Sequence, residues 1–479
     1  MYNAGKFYIG GKWVTPDSAE MLDVTDPATD AVVDRIALGN RNDVDRAVWA
    51  ARAAFETYSS FSVEDRIALM ERIASVYEWR RVEMGEIISR EMGAPLSFAV
   101  GPQAQQGLAH LKAAITVLKE GFPFEEQRAT TRVVKEPIGV CALITAWNWP
   151  ITLICCKVAP ALAAGCTMIL KPSESAPLNA HLFAEILHEA GVPPGVFNLV
   201  DGTGPEVGDA LSRHRDIDMI SITGSTNAGI AVAKAAAETV KRVTQELGGK
   251  SACIVLDDAD VEATAHLATT RLFRNSGQSC AAWTRLLVPQ ARMAQAIEGA
   301  RKAAAEVIVG DPQSEATTMG PVANAAQYVR IQSYIAKGIE QGATLVAGGL
   351  GRPAGLTKGQ FVQPTVFADV VPEMAIAQEE IFGPVMCIMG YRDEDDAVRI
   401  ANSTVYGLSG AVHSADPARA LKLAWRLRTG IVHINETTAD YGAPFGGYRQ
   451  SGNGREWGAY GIEEYLETKA LFGIREGMA

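Results

Sequence analysis

The sequence predicts an α/β protein whose central parallel sheet is covered by helices on both faces. Between residues 137 and 256, short apolar runs rich in β-branched side chains alternate with longer stretches of helical periodicity. This alternation is typical of βαβ units, because strands buried on both faces read as continuous apolar runs. The predicted strands are Gly139 to Ala146, Thr167 to Leu170, Val196 to Val200, Asp218 to Ile222 and Ala252 to Leu256. Together they predict a doubly wound sheet with a ligand crevice at the carboxyl ends of its strands.

The chain on either side of this region also reads as regular structure. A β-rich arm at Lys6 to Val14 precedes helices, the first capped by Asn42 and the second beginning at Ser62. After Gly249 a second α/β region begins, without a polar linker or a repeat. Its predicted helices lie near Val261 to Asn275, Met293 to Val309 and Ala323 to Gln341, and its predicted strands at Phe361 to Phe367, Val385 to Gly390 and Gly430 to Ile434. We therefore expect a site between two packed lobes.

Composition favours a small-molecule partner. The 479 residues include 48% hydrophobic ones, enough for more than one core, and the net charge is −11 with a pI near 5.3. No cluster of lysine and arginine is dense enough to bind nucleic acid or a membrane surface.

The seven cysteines are odd in number and contain no C-x-x-C pair, which fits neither a disulfide framework nor a zinc site. We therefore expect no metal and a reducing compartment. The start, Met1 to Lys6, lacks the apolar core of a secretion signal, and the most apolar stretch, Ile151 to Cys166, is short and contains Lys157. These features predict a cytoplasmic protein without a membrane span.

A nucleophile and a carboxylate stand out in glycine-containing segments. Cys280 ends the run F-R-N-S-G-Q-S-C and follows by 34 positions Glu246 in Q-E-L-G-G-K-S. A thiol and a carboxylate are the two groups needed to form and then hydrolyse a thioester. The N-S-G-Q turn predicts a loop–helix junction at Cys280, where the pKa of the thiol would fall. Inert burial is the ordinary alternative for a cysteine, and we assign it to the other six.

Two strand ends carry groups suited to a nucleotide. Lys171-Pro172-Ser173-Glu174 and the Gly224-Ser225 turn each follow a predicted strand, and a Gly-Ser turn that opens a helix offers N–H groups to a phosphate. Solvated loop charges are the alternative reading. The run from Gly202 to Gly208 is one residue longer than the usual dinucleotide fingerprint, so a plain turn explains it equally well.

Asn148 lies between two tryptophans in T-A-W-N-W-P. An unpaired buried amide costs about 1–3 kcal/mol, so this side chain needs a partner. It either has a role in chemistry or caps the following helix.

These motifs, together with E-I-F-G-P at Glu380 to Pro384, resemble those of the NAD(P)-dependent aldehyde dehydrogenases. The resemblance extends from the arm at Phe7 to Glu456, nearly the whole chain. Departures at Ala146, Ile222 and Arg449 remove no chemical group. Because it has a glutamate at position 246, the sequence resembles the hydrolytic branch of this family rather than the branch that transfers the acyl group to coenzyme A.

The resemblance implies oxidation of an aldehyde to the acid through a thiohemiacetal and a thioester on Cys280. Asn148 would help the backbone N–H of Cys280 to stabilise the oxyanion, and Glu246 would activate water. Lys157 and Glu456 match a proton path, although a structural ion pair explains them equally well. The implied cofactor-binding residues are Trp147, Lys171, Ser173, Glu174, Gly204, Gly224, Ser225, Glu380 and Phe382. Because Glu174 would repel a 2′-phosphate, we expect NAD rather than NADP.

The resemblance places the substrate tunnel at Trp149, Leu153, Cys156, Arg274, Ser279 and Phe445. This largely apolar set suits aromatic or medium-chain aliphatic aldehydes. Arg274 keeps an alternative open, because succinic semialdehyde dehydrogenases place an arginine six residues before the nucleophile to hold a carboxylate. Their second arginine is replaced here by Cys156.

By resemblance, the fold is a Rossmann-like cofactor domain, an α/β catalytic domain and a small β extension that pairs subunits. The predicted limits are residues 1–116 and 137–248 for the cofactor domain, 249–448 for the catalytic domain, and 117–136 and 449–479 for the extension. Homodimers or homotetramers would follow. Two other classes remain, a cofactor-independent cysteine hydrolase or esterase and a non-catalytic binding protein. No histidine pattern partners the cysteine, and both nucleophile and base are present, which disfavours them.

Overall fold

Two large sheets, a three-stranded sheet and a hairpin organise the chain in the computed structural model, which describes residues 3–474. In chain order, strands β1 to β20 are Phe7–Ile9, Lys12–Val14, Met21–Thr25, Val32–Ala37, Glu125–Arg128, Thr131–Pro137, Val140–Ile144, Thr167–Lys171, Phe197–Leu199, Met219–Thr223, Arg242–Glu246, Ser251–Val255, Trp283–Pro289, Thr344–Ala347, Thr365–Ala368, Val385–Tyr391, Ser409–His413, Ile431–Ile434, Gly452–Asn453 and Leu466–Phe472. Helices α1 to α16 are Arg41–Tyr58, Val63–Trp79, Arg81–Met92, Leu96–Phe98, Ala104–Lys119, Pro150–Ala164, Leu178–Glu189, Asp209–Arg213, Thr226–Ala236, Val261–Phe273, Met293–Ala305, Ala325–Glu340, Ala375–Gln378, Glu394–Ala401, Pro417–Ala424 and Gly458–Glu464.

The first sheet has eight strands in the order β19-β11-β10-β7-β8-β9-β1-β2. The five strands from β11 to β9 are parallel, and antiparallel strands flank them on both sides. From β7 the chain adds β8 and β9 on one side and then β10 and β11 on the other. The gap between the ends of β7 and β10 is therefore a topological switch point, where ligands bind in open α/β sheets. The predicted doubly wound sheet is confirmed.

The second sheet has seven strands in the order β14-β15-β16-β13-β12-β17-β18, parallel except for β14. The predicted strand at Ala252 to Leu256 is β12 and belongs here, so its assignment to the first region was wrong. The fifth parallel strand of the first sheet is instead β11, which reads R-V-T-Q-E. Its polar composition hid it in the sequence, although its last three residues are buried.

The three-stranded sheet has the order β20-β6-β5, and β20 pairs with β6 from Leu466 opposite Pro137 to Phe472 opposite Thr131. These strands lie in the segments predicted as the β extension, whose end at 475–479 lies outside the described residues, as do residues 1–2. Within 449–479, however, β19 pairs with β11 of the first sheet. The domain limits and the role of the extension in assembly stay predictions.

The helix starts follow from local hydrogen bonding. Asn40, not the predicted Asn42, caps α1, since its side chain accepts the N–H of Asp43 and the Asp43 carboxylate accepts the N–H of Asn40. Ser62 caps α2 as predicted, accepting the N–H of Asp65. The apolar stretch from Ile151 is the core helix α6, and no helix within residues 3–474 is long and apolar enough to cross a membrane.

Candidate active site

The segment after the carboxyl end of β11 packs closely against the segment that carries Cys280, and glycine residues allow this approach. Glu246 ends β11, and Gly248 and Gly249 lead from it to β12. A Cβ on Gly249 would lie 2.5 Å from the carbonyl oxygen of Cys280, so this approach requires glycine. Glu246 and Cys280, the two residues singled out in the sequence, therefore lie close together where the two large sheets meet.

A left-handed turn presents Cys280. Asn275, Ser276 and Gly277 have φ values of +54°, +55° and +71°, and a Cβ on Gly277 would lie 2.1 Å from the carbonyl oxygen of Gly383. The two non-glycine residues are held by buried hydrogen bonds, since the Asn275 amide donates to the carbonyl of Asn148 at 2.8 Å and the Ser276 hydroxyl to that of Gly320 at 2.8 Å. Strain of this kind persists only where the surroundings enforce it, and it collects at functional sites.

Cys280 is half-buried, whereas the other six cysteines are buried, and all seven are free thiols. Burial raises the pKa of the Cys280 thiol, and the carboxylates of Glu246 and Glu380 raise it further. The predicted fall in pKa is therefore wrong. So is the predicted loop–helix junction, because the turn after Cys280 leads into strand β13.

Asn148 follows β7 and is 3% exposed. Its side-chain N–H donates to the carbonyl of Gln278 at 3.2 Å, two residues before Cys280. The N-cap position of α6 is Trp149, without a side-chain cap, so the alternative of a capping asparagine is wrong. The amide of Asn148 is directed at the turn that carries the cysteine.

A buried charged cluster lies behind Glu246, which is 4% exposed. Lys157 on α6 donates to Glu456 at 2.5 Å and to the Ser221 hydroxyl at 3.0 Å, and the Cys156 thiol donates to the other Glu456 oxygen at 3.3 Å. Burial opposes the charge of Lys157, yet Glu456 leaves its pKa raised. Burial, and secondly repulsion from Glu456, raise the pKa of Glu246 well above its usual value.

Both carboxylate oxygens of Glu246 are buried and have no hydrogen-bond partner among residues 3–474. An unpaired buried carboxylate with a raised pKa is the state expected of a general base held ready for a proton.

Six of the predicted cofactor-binding residues lie at or after the ends of β8, β9 and β10, namely Lys171, Ser173, Glu174, Gly204, Gly224 and Ser225. Lys171 is buried, lies 2.8 Å from the carbonyl of Pro172 and 3.4 Å from the Glu174 carboxylate, and burial lowers its pKa. Ser173 is buried and accepts the N–H of Ser175 at 3.3 Å, while Glu174 is partly exposed.

At the next strand end Gly224 precedes Ser225, which caps α9 by accepting the N–H of Ala228 at 3.2 Å. Gly204 begins a short π-helical segment after β9, and a Cβ there would meet nothing within 4 Å. The start of α9 therefore offers N–H groups suited to a phosphate, and Gly204 borders open space.

The other three predicted cofactor-binding residues, Trp147, Glu380 and Phe382, lie near the end of β7 and the segment before β12. The rings of Trp147, after β7, and Phe382 lie 5.4 Å apart, edge to face. Phe382 has a φ of +62°. The Glu380 carboxylate accepts the N–H of Gly249 at 2.9 Å, which ties it to the segment between Glu246 and β12.

The predicted substrate residues divide into two groups. The Trp149 indole donates to the Ser279 hydroxyl at 3.1 Å, directly beside Cys280, and packs against Phe98 at 5.5 Å. Leu153 is half-buried on α6. Phe445 pairs through its backbone with Glu456. In the second group, the Cys156 thiol donates to Glu456, and Arg274 is exposed with no ionic partner among the described residues.

Comparison with known proteins decides the family. The family model for the aldehyde dehydrogenase family matches residues 13–471. The chain belongs to the aldehyde dehydrogenase family. It is accordingly an oxidoreductase that acts on aldehydes, and the resemblance stated from the motifs is confirmed.

The relatives of this aldehyde dehydrogenase agree in sequence and fold. A 3-succinoylsemialdehyde-pyridine dehydrogenase from a Pseudomonas species is 52% identical, over 98% of each chain. A mutant of aldehyde dehydrogenase C from Pseudomonas syringae, solved with NAD+ and octanal, is 51% identical with a TM-score of 0.98, covering 100% of this chain and 98% of that one. A Mycobacterium tuberculosis aldehyde dehydrogenase solved with NAD+ is 40% identical with a TM-score of 0.96, over 99% of each chain. The predicted fold, with a Rossmann-like and a catalytic domain, is confirmed.

Several residues of the site in this aldehyde dehydrogenase were missed in the sequence. Asn275 and Gln103 brace the turn before Cys280, with the Gln103 amide donating to the Asn275 side chain at 2.8 Å. Asn275 lies within F-R-N-S-G-Q-S-C, so its proximity to Cys280 was a usable signal. Trp457 packs against Phe445 and Tyr441 packs against Trp457, but neither carries a motif of its own.

The ion pair of this aldehyde dehydrogenase gives a stability prediction. Replacing Lys157 with methionine leaves Glu456 buried and unpaired beside Glu246. Removing one partner of a buried pair typically costs about 3–5 kcal/mol, so we expect a loss of that size in the free energy of urea unfolding. The double variant Lys157→Met, Glu456→Gln should recover most of it. A loss below about 1 kcal/mol in the single variant would contradict the assignment of a structural pair.

Proposed function

We propose that the enzyme oxidises aromatic or medium-chain aliphatic aldehydes to carboxylic acids with NAD as the hydride acceptor. The observation that carries the proposal is the meeting of Cys280, Asn148 and Glu246 beside half-buried aromatic residues at the switch point of the first sheet. A thiol, an amide donor and an unpaired base at one point are the groups that acyl chemistry through a thioester requires.

The residues at the strand ends fit a dinucleotide. Lys171 offers a buried donor and Glu174 a partly exposed acceptor at one ribose position, and the α9 start offers N–H groups to phosphate. Trp147, Phe382 and Glu380 lie on the Cys280 side, suited to the nicotinamide and its ribose. Bound NAD would supply the acceptor for the hydride. Because Glu174 is a carboxylate, it would hydrogen-bond a 2′-hydroxyl and repel a 2′-phosphate, which favours NAD over NADP.

In the proposed mechanism, the Cys280 thiolate adds to the aldehyde carbon and the carbonyl oxygen becomes an oxyanion. The Asn148 amide and the Cys280 backbone N–H donate hydrogen bonds to that oxygen, and one such donor is worth about 3–4 kcal/mol. Loss of hydride leaves a thioester on Cys280. Glu246 then takes a proton from water, the resulting hydroxide attacks the thioester carbon, and the carbon–sulfur bond breaks to release the acid and the thiolate.

The relatives support an apolar substrate. The relative with 52% identity is named for a semialdehyde that carries a pyridine ring, and the structure with a TM-score of 0.98 contains octanal. Both molecules place an apolar or aromatic group beyond the aldehyde. Trp149 and Phe445 provide matching surfaces here.

The test is NADH formation by the purified enzyme with octanal, benzaldehyde and succinic semialdehyde. An unpaired carboxylate in an apolar tunnel is costly, so we expect kcat/KM for octanal and benzaldehyde to exceed that for succinic semialdehyde by about 100-fold or more. Preference for succinic semialdehyde, lost in Arg274→Gln, would show that Arg274 anchors a substrate carboxylate and would overturn the proposed class of aldehyde.

Replacing NAD with NADP in the same assay should lower kcat/KM. The variant Glu174→Gln should reduce the difference in kcat/KM between NAD and NADP.

A further inference from the structure

Four rings from two distant parts of the chain form a cluster, of which the sequence motifs predicted only Phe445. Phe445 and Trp457 stack with centroids 4.5 Å apart, and Tyr441 lies 5.3 Å from Trp457. His110, on α5, lies edge-on at 5.0 Å from Tyr441 and is tilted at 5.2 Å from Trp457. The first three rings are half-buried and His110 is 4% exposed. We call Tyr441, Phe445, Trp457 and His110 the aromatic wall.

Trp457 is held in a backbone conformation that tryptophan rarely adopts. Its φ of +71° and ψ of 153° fall in a region populated almost only by glycine. Gly458, next in the chain, has a φ of +51°, and a Cβ there would lie 2.1 Å from the carbonyl oxygen of Gly442. The loop around Gly442 therefore crosses tightly over this point and fixes the direction of the indole.

The aromatic wall begins at the proposed water-activating base. A Cβ on Gly446 would lie 2.7 Å from a Glu246 carboxylate oxygen, and Phe445 immediately precedes it. Phe445 and Glu456 exchange both backbone hydrogen bonds, at 2.8 and 2.7 Å, and Trp457 directly follows Glu456. Tyr441 then reaches the open groove between α5 and residues 439–442. The wall thus extends from Glu246 toward solvent.

The wall consists of aromatic rings and carries no charge. Burial lowers the pKa of His110 to about 3, so its ring is neutral, and its Nε2 has no hydrogen-bond partner among residues 3–474. A neutral, flat surface of this kind binds alkyl chains and aromatic rings through dispersion and stacking, and it has no positive charge to pair with a carboxylate.

We propose that Trp457 is a specificity-determining residue that contacts the part of the substrate distal to the aldehyde and selects unbranched alkyl or flat aryl groups. This inference rests on the proposed function. The backbone strain at Trp457 is maintained by its packing in the wall, as is typical of sites where strain serves binding. Short aldehydes end before Trp457 and do not contact it.

The test compares kcat/KM for butanal and octanal in the wild type, Trp457→Gly and Trp457→Leu. Glycine suits the backbone and removes the indole, while leucine keeps apolar bulk and guards against a folding failure in the first variant. We expect kcat/KM for octanal to fall about 10-fold or more in Trp457→Gly while that for butanal changes by less than about 2-fold. Trp457→Leu should restore part of the octanal value. Trp425→Gly, which removes an indole that is 83% exposed, is the matched control and should leave both values unchanged.

The outcomes separate the two proposals. If the wild type oxidises none of the aldehydes, the proposed function fails, and the role of Trp457 fails with it. If the wild type is active but both variants lose activity equally toward butanal and octanal, or retain full activity toward octanal, the proposed function stands and the role of Trp457 is wrong.

Discussion

Replacing Cys280 with alanine should abolish aldehyde oxidation, with kcat falling by about 10⁴-fold or more. Alanine cannot form the thiohemiacetal, so the only remaining path is direct attack by water without a covalent intermediate. Serine at this position should be nearly as inactive, because a hydroxyl is a far weaker nucleophile than a thiolate. The measurement is NADH formation with octanal at saturating NAD.

Alkylation of the Cys280 thiol provides a second test of its proposed catalytic role. Cys280 alone among the seven cysteines is half-buried, so iodoacetamide should modify one thiol per chain and inactivate the enzyme in step with that modification. Because burial and the carboxylates of Glu246 and Glu380 raise the pKa of this thiol, its thiolate fraction and the alkylation rate should both rise with pH. Cys253→Ala, a change at a fully buried position in the second sheet, should keep both activity and sensitivity to alkylation. Activity retained in Cys280→Ala would rule out the covalent mechanism.

The sheets, and Cys280 and Glu246 as candidates for a catalytic pair, could be predicted from the sequence for a physical reason. Strands buried on both faces leave continuous apolar runs, as in β7 and β8, and a reactive thiol or base needs particular residue types in tight, glycine-containing turns. Strand β11 was not predicted because only its last three residues are buried and most of its side chains are polar. Its place in the sheet is fixed by pairing with β10, the preceding strand, and with β19, which is distant in sequence.

The aromatic wall and the pKa of Cys280 could not be predicted for a related reason. His110 is more than 300 residues from Tyr441 and Trp457, and ring packing between such segments leaves no local pattern. The sequence showed a turn that could lower the pKa of Cys280. It did not show that folding buries the thiol and places Glu246 and Glu380 near it, and these two effects outweigh the turn.

Replacing Glu246 with glutamine should separate the two halves of the reaction. The thiohemiacetal and hydride steps use Cys280 and Asn148, so we expect a first burst of NADH close to one per active site. Hydrolysis needs a base, so steady-state turnover should fall about 10²–10⁴-fold. Rapid-mixing measurement of NADH with octanal resolves both phases.

The raised pKa of Glu246 predicts the direction in which the rate of hydrolysis changes with pH. Burial and repulsion from Glu456 raise the pKa of Glu246 well above its usual value, and only the ionised carboxylate can accept a proton from water. Wild-type hydrolysis should therefore increase as the pH rises through that raised pKa, and this increase should disappear in Glu246→Gln.

Glu464→Gln is the matched control, since Glu464 is a nearby carboxyl that accepts the N–H of Arg455 at 2.9 Å, and glutamine can still accept it. That variant should keep both burst and turnover. An unchanged steady-state rate in Glu246→Gln would remove Glu246 from hydrolysis, and a lost burst would move its action to a step before hydride loss.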